Sequence, residues 1–318
     1  MDKIIETIKK SQNILILSHV DEDCDAVATS LAMQMMLKNE GKNVLYILSK
    51  PIEERLSFLR NDFVVYDADK DYGDFDLIIC LDAADEKRIG RRIKLFERAK
   101  ITLSIDHHYT NTNYADLNLV NGDMSSTGEM VYDLFVKMGV DITREIAELL
   151  YCSIMSDTGC LKYSCATPKT VMTIAELMKK GIDHSYLSRQ LFDSEKLDVV
   201  RVKGQIMNSV VGYFDNRVNV VVVPDKLLKE YDVSENDLGD IVNIPRSVKG
   251  TEIAVSVREV DNRIKVSFRS NGMYNVGEIA KNFSGGGHEM AAGAAIFDKN
   301  IDEVVEEVIK VIGEVING

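Results

Sequence analysis

The chain of 318 residues lacks the marks of several protein classes. It has only 4 prolines, and no low-complexity tract or internal repeat, which sets it apart from fibrous and disordered chains. No stretch approaches the ~18 consecutive apolar residues of a membrane span. The opening Met1-Asp2-Lys3-Ile4-Ile5-Glu6 carries acids where a secretion signal needs a basic start and an apolar run, so a cytoplasmic protein is expected. Cysteine is scarce and odd in number (Cys24, Cys80, Cys152, Cys160, Cys165), and no two are spaced C-x-x-C. Neither a disulfide framework nor a structural zinc site is indicated, and these residues read as reduced thiols. An excess of positive charge is also missing. A net charge of −13 excludes a broad, non-specific grip on long duplex nucleic acid. It leaves room for a small anion, whose phosphates need only local positive charge that metal ions can supply.

What is present is an ordinary globular composition, 45% hydrophobic and 28% charged. The length exceeds the roughly 250–300 residues at which single cores stop growing, so two domains are expected. Up to about residue 190, strand-like runs alternate with amphipathic helical segments, the pattern of a mainly parallel, doubly wound α/β sheet. Strands are predicted at Asn13–Ser18, Asn43–Leu48, Asp76–Leu81 and Ile101–Ile105, and helices at Ala26–Asn39, Thr127–Lys137, Arg144–Ile154 and Lys169–Lys179. The C-terminal part changes character, with strands at Val218–Val223, Glu252–Val260 and Arg263–Phe268 and an Asp261-Asn262 turn between the last two, suggesting a smaller, antiparallel-rich α+β domain. Residues 190–208 have helical spacing, which suits a connecting helix or a helix in one domain's core. The expected division is 1–190, a connector at 191–210, and 211–318.

Acids just beyond the carboxyl ends of parallel strands converge on one crevice. Such acids follow the first strand (Ser18-His19-Val20-Asp21-Glu22-Asp23-Cys24-Asp25), the third (Asp82) and the fourth (Asp106-His107-His108), and Asp157 follows an apolar helix. A single Asp after a strand is commonly a turn former or helix cap. Here three of only five histidines sit beside such acids. Carboxylates and imidazoles without thiolates favour a divalent ion such as Mn²⁺, with Mg²⁺ or Co²⁺ as substitutes, and about six ligand-type side chains suit two ions better than one. In the C-terminal part Gly285-Gly286-Gly287-His288 could let backbone N–H groups approach a phosphate, and Arg269-Ser270-Asn271 lies just upstream. Substrate is expected to be held there.

Taken together, these residues closely resemble the DHH phosphoesterase superfamily, through Asp106-His107-His108, the H-x-x-x-D-x-D element His19/Asp23/Asp25, Asp82, Asp157 and the GGGH element of the DHH-associated C-terminal domain. The two-domain form is similar to the oligoribonuclease and pAp-phosphatase (NrnA-type) group. The resemblance implies two manganese ions, one on His19, Asp23 and Asp82 and one on Asp25, Asp82, His107 and Asp157. Asp106 would orient a histidine, and His108 would face the phosphate. It implies hydrolysis of short RNA to mononucleotides and of 3′-phosphoadenosine 5′-phosphate to AMP, with cyclic di-AMP or pApA as the alternative substrate. A non-catalytic nucleotide sensor would show eroded ligands, and none is eroded. The chain departs from the family's usual Pro-Asp-Gly-Asp with Glu22-Asp23-Cys24-Asp25, which raises the question of whether residue 24 needs a positive φ. The Met- and Leu-rich stretch Leu31–Leu37 suits a homodimer contact and a core face equally.

Overall fold

The computed structural model describes residues 1–59, 62–260 and 263–317. The chain divides into two compact units, Met1–Ser194 and Glu195–Gly318. Among the described residues no helix is long and apolar enough to cross a membrane.

The first unit runs α1 (Asp2–Lys10), β1 (Asn13–Ser18), α2 (Cys24–Asn39), β2 (Asn43–Leu48), β3 (Val64–Val65), β4 (Leu77–Leu81), α3 (Ile93–Phe96), β5 (Thr102–Asp106), β6 (Leu117–Val120), α4 (Thr127–Met138), α5 (Arg144–Asp157), α6 (Pro168–Met178) and α7 (His184–Phe192). Its six strands are all parallel in the order β3-β2-β1-β4-β5-β6. The central strands are apolar throughout because both faces are covered. On β1, Ile14 and Ile16 enter the core built with α2, α4 and α5, while Leu15 and Leu17 enter a second core with Ile47, Ile78, Cys80 and Phe96. The expected parallel α/β sheet is therefore present, and β3 and β6 are additions too short or too polar to stand out in the sequence. Leu31, Met33, Met36 and Leu37 are buried in that first core, so the stretch is a core face.

The second unit runs α8 (Leu197–Asn208), β7 (Val211–Tyr213), β8 (Val218–Val223), α9 (Asp225–Glu230), α10 (Asn243–Arg246), β9 (Ile253–Val260), β10 (Arg263–Ser270), α11 (Val276–Lys281), β11 (Gly286–Gly287), β12 (Ala291–Ile296) and α12 (Ile301–Asn317). Its sheet has the order β11-β12-β10-β9-β8-β7. All neighbours are antiparallel except β8 and β9, which pair in parallel from Val218↔Ile253 onward. The Asp261-Asn262 turn lies outside the described residues. Residues 190–208 are not one helix: α7 ends at Phe192 and α8 begins at Leu197. The apolar side of α8, Val199, Val202 and Ile206, packs on Val221 and Val223 of β8, which makes it a core helix of the second unit. On the opposite face of the sheet, Phe268 is fully buried with its ring stacked 6.2 Å from Phe283. Phe268→Ala should lower the unfolding free energy by about 3–5 kcal/mol, read from the midpoint of urea denaturation.

Candidate metal centre

The strand order of the first unit reverses between β1 and β4, and open sheets bind ligands outside the carboxyl ends of strands at such a point. His19 follows β1 and is buried. Its Nδ1 lies 2.6 Å from the carbonyl of Val20, which can only accept, so Nδ1 carries a proton and Nε2 is the atom that faces the cluster. That Nε2 lies 3.7 Å from Asp23 Oδ1 and 3.5 Å from Asp82 Oδ2. Asp23 also caps α2 by accepting from Ala26 N. Asp82 follows β4 in a left-handed conformation, φ 58°, uncommon for a residue with a side chain and typical of functional sites. Its other oxygen, Oδ1, accepts from Thr127 Oγ1 at 2.9 Å.

The carboxyl end of β5 supplies the rest. His107 Nδ1 sits 3.3 Å from Met124 O, turning Nε2 toward Asp157 Oδ2 (3.2 Å), Asp82 Oδ1 (3.7 Å) and Asp25 Oδ2 (4.0 Å). His108 is the most exposed of the three rings; its Nδ1 bonds Asp106 Oδ1 at 2.7 Å. Asp106 is fully buried and uses its second oxygen to accept from Asn111 Nδ2. Asp157 is the last residue of α5. Three groups of potential ligands result, His19/Asp23/Asp82, Asp25/His107/Asp157 and Asp82/His107/His108, each with its donor atoms within 4.8 Å of one another.

These donors suit a hard or borderline divalent cation, and the electrostatics call for one. Burial and the charge of Asp82 push Asp25 up to about 6, and burial with Asp25 beside it holds Asp157 well above the usual carboxylate range. Burial disfavours charging His19 and His107, but their hydrogen-bonded carboxylates outweigh it and carry each up to about 10. Without a cation the cluster must therefore hold protons, which a cation would displace.

Residues 13–154 match the DHH family, N-terminal domain, and residues 205–316 match the DHHA1 domain. A bifunctional oligoribonuclease and PAP phosphatase NrnA from Thermus thermophilus is 30% identical over 99% of this chain and 94% of its own length. The chain belongs to the DHH family. The Bacillus subtilis protein of the same description is also 30% identical, over 93% of each chain. The solved structure of an exopolyphosphatase-related protein from Bacteroides fragilis superposes with a TM-score of 0.89 at 28% identity, covering 98% of this chain and 94% of that one. As a DHH protein with such relatives, the chain is a hydrolase of phosphate esters.

The helices around the DHH cluster hold one of its buried acids, Asp25. Asp25 Oδ1 accepts from Ser153 Oγ (2.5 Å), Thr29 Oγ1 (2.9 Å) and Gly128 N (3.2 Å), and Oδ2 accepts from Thr127 N (2.8 Å). The first turn of α4 thus points its N–H groups at the carboxylate. Gly128 is required there because a Cβ would lie 1.8 Å from Ser153 Oγ. Cys24, at the position of the family's usual glycine, starts α2 without a positive φ; the left-handed residue of this loop is Asp21, φ 59°. Its thiol is buried near Cys152 O and pushed up in pKa by that burial, an inert side chain.

In the DHHA1 unit the glycine run is a strand edge. Gly286 pairs with Gly293 and Gly287 with Ala292, and a Cβ on Gly285 or Gly287 would strike β12 backbone oxygens at 2.3 and 2.4 Å. His288 is exposed at its end. Arg269 pairs with Asp240 at 3.2 Å. Ser270 is buried, with Oγ accepting from Gly272 N, and Asn271 is tied to Arg246 and Thr251 O, so these two serve the turn after β10. Ser270 N donates to Met290 O, bringing the end of β10 beside the GGGH segment.

Two outcomes are expected. In protein freed of divalent ions by a chelator, His19 and His107 are raised from 6.5 to about 10, so their contribution to stability is complete below pH 6.5 and is lost as pH rises toward 10. The melting temperature of that form should fall over this range, and added Mn²⁺ should flatten the fall. Gly128→Ala should lower stability by about 1–3 kcal/mol in denaturant titrations, because α4 must move off Ser153.

Proposed function

We propose that this protein is a manganese-dependent phosphoesterase that cleaves short oligoribonucleotides to mononucleotides and 3′-phosphoadenosine 5′-phosphate to AMP. The observation that carries the reading is the placing of Asp82, whose two oxygens face different histidines: Oδ2 toward His19, and Oδ1 toward His107 and His108. His19, Asp23 and Asp82 would hold one ion, and Asp25, Asp82, His107 and Asp157 the other. When bound, such ions supply Lewis acidity toward phosphoryl oxygens and lower the pKa of water near neutrality.

The chain's own residues do the positioning. Val20 O and Met124 O keep the proton on Nδ1 of His19 and His107, so that both Nε2 atoms stay available as donors to a cation. His108 lies outside both ligand sets, and its bond to Asp106 raises its pKa and favours the charged ring. It then offers Nε2–H to an oxygen of the scissile phosphate, stabilising charge that grows in the transition state. In the second unit Arg269, exchanging Asp240 for a phosphate, and His288 beside the glycine strand would hold a neighbouring phosphate or base. We assign chemistry to the first unit, Met1–Ser194, and substrate grip to the second, Glu195–Gly318. The names of the Thermus and Bacillus relatives support the substrate choice. All five cysteines are free, which fits a reducing cytoplasm.

Asp82→Asn should lower kcat about 10³-fold, the rate equivalent of several kcal/mol, with an unchanged circular dichroism spectrum. Product analysis with Mn²⁺ should find RNA dinucleotide and 3′-phosphoadenosine 5′-phosphate cleaved faster than cyclic di-AMP or pApA. Preference for the cyclic compound would transfer the protein to turnover of that signal, and cleavage of none would make it a nucleotide sensor.

A further inference from the structure

The loop between β1 and α2 that carries His19 and Asp23 rests on a buried ion pair with no part in the reading above. Arg92 closes the short 3-10 segment Glu86–Arg92 and is buried, as is Glu22. The guanidinium donates from Nη2 to Ser18 O (2.8 Å), from Nη1 to Ile47 O (2.7 Å) and Glu22 Oε1 (2.9 Å), and from Nε to Ile89 O (3.3 Å). Glu22 accepts at Oε1 from Ser49 N (2.6 Å) and at Oε2 from Ser49 Oγ (2.7 Å). Ser18 directly precedes His19, and Glu22 directly precedes Asp23. One side chain therefore grips the backbone just before one ligand and the carboxylate just before the other, and Ser49 ties that carboxylate to the end of β2. The residues between are held from the same segment: Val20 N donates to Arg88 O at 2.6 Å, and Gly90 leaves room for Val20, whose Cγ1 would be 2.5 Å from any Cβ there. Asp21 completes the turn at φ 59°.

We infer that Glu22 and Arg92 are positioning residues that set the separation of His19 and Asp23 and so tune cation affinity at that pair. The inference rests on the metal reading above. A pair needed only for stability could be replaced by apolar side chains of similar volume, often at no loss. Such a replacement could not donate to Ser18 O or accept from Ser49 N, so the loop would lose its tethers even in a stable protein. Partners that orient metal ligands typically account for about 10–100-fold in affinity.

The test is Mn²⁺ calorimetry without substrate, beside melting curves of the metal-free protein and kcat at saturating metal. Glu22→Gln should weaken one of the two Mn²⁺ isotherms by about tenfold or more and leave the other in place. Glu22→Leu combined with Arg92→Met should recover part of the melting temperature that Arg92→Met alone loses, by removing the uncompensated buried charge, yet keep the weakened isotherm. Ser49→Ala, which removes one hydroxyl from a half-buried residue and spares the fold, should weaken binding about threefold. Unchanged affinity in Glu22→Gln and Ser49→Ala, or affinity that returns with stability in the double variant, would make the pair structural only. A parent protein that binds no Mn²⁺ overturns the metal reading itself, a result distinct from parental binding that the variants leave intact.

Discussion

Like charges drawn together in a dry place dominate the first unit. Asp25 and Asp82 are buried, and Asp23 and Asp157 join them within a few ångströms of two imidazoles. Carboxylates so placed cannot all ionise without compensation, which is why Asp25 and Asp157 are raised and His19 and His107 are held protonated well above their ordinary range. A fold that must keep such a cluster has to bring N–H dipoles, hydroxyls and cations to it. The first turn of α4, Ser153 on α5 and Thr29 on α2 all spend their polar groups on Asp25.

That demand accounts for several local features that would otherwise cost stability. Asp82 accepts a left-handed backbone because the side chain must turn from β4 back over the switch point between β1 and β4. Gly128 lets α4 approach α5 closely enough for the N–H groups to reach Asp25. Arg92 and Glu22, each fully partnered, keep the β1–α2 loop in one shape beneath a site whose donors must stay within ångströms of their positions. The side-chain ties are long-range contacts: Glu22 meets Arg92 across 70 positions of chain, and Asp25 meets Ser153 across 128.

The second unit serves a different need. Its glycines are packing residues of an edge strand, and its Ser270 and Asn271 are turn residues. The residues proposed above to meet an anion are Arg269, whose guanidinium bonds partly exposed Asp240 and the carbonyl of Phe268, and the exposed His288. Flat glycine backbone can approach either an anion or another strand, and here Gly286 and Gly287 lie against the small residues of the neighbouring Ala291–Ile296 strand.

By itself the sequence determined the parallel α/β half, the identity of the clustered acids and histidines, and membership of the DHH family. Buried parallel strands are apolar runs that end sharply, so the polar residues at their ends are conspicuous. Only the tertiary structure decided which oxygen faces which nitrogen, that Cys24 is an inert helix residue, that residues 190–208 are two helices, and that β8 and β9 run parallel. It alone revealed the Glu22–Arg92 pair, whose members look like surface charges in the chain. The physical reason is range: periodicity reports burial and neighbours within a few residues, whereas partners and tautomers depend on groups that only folding brings together.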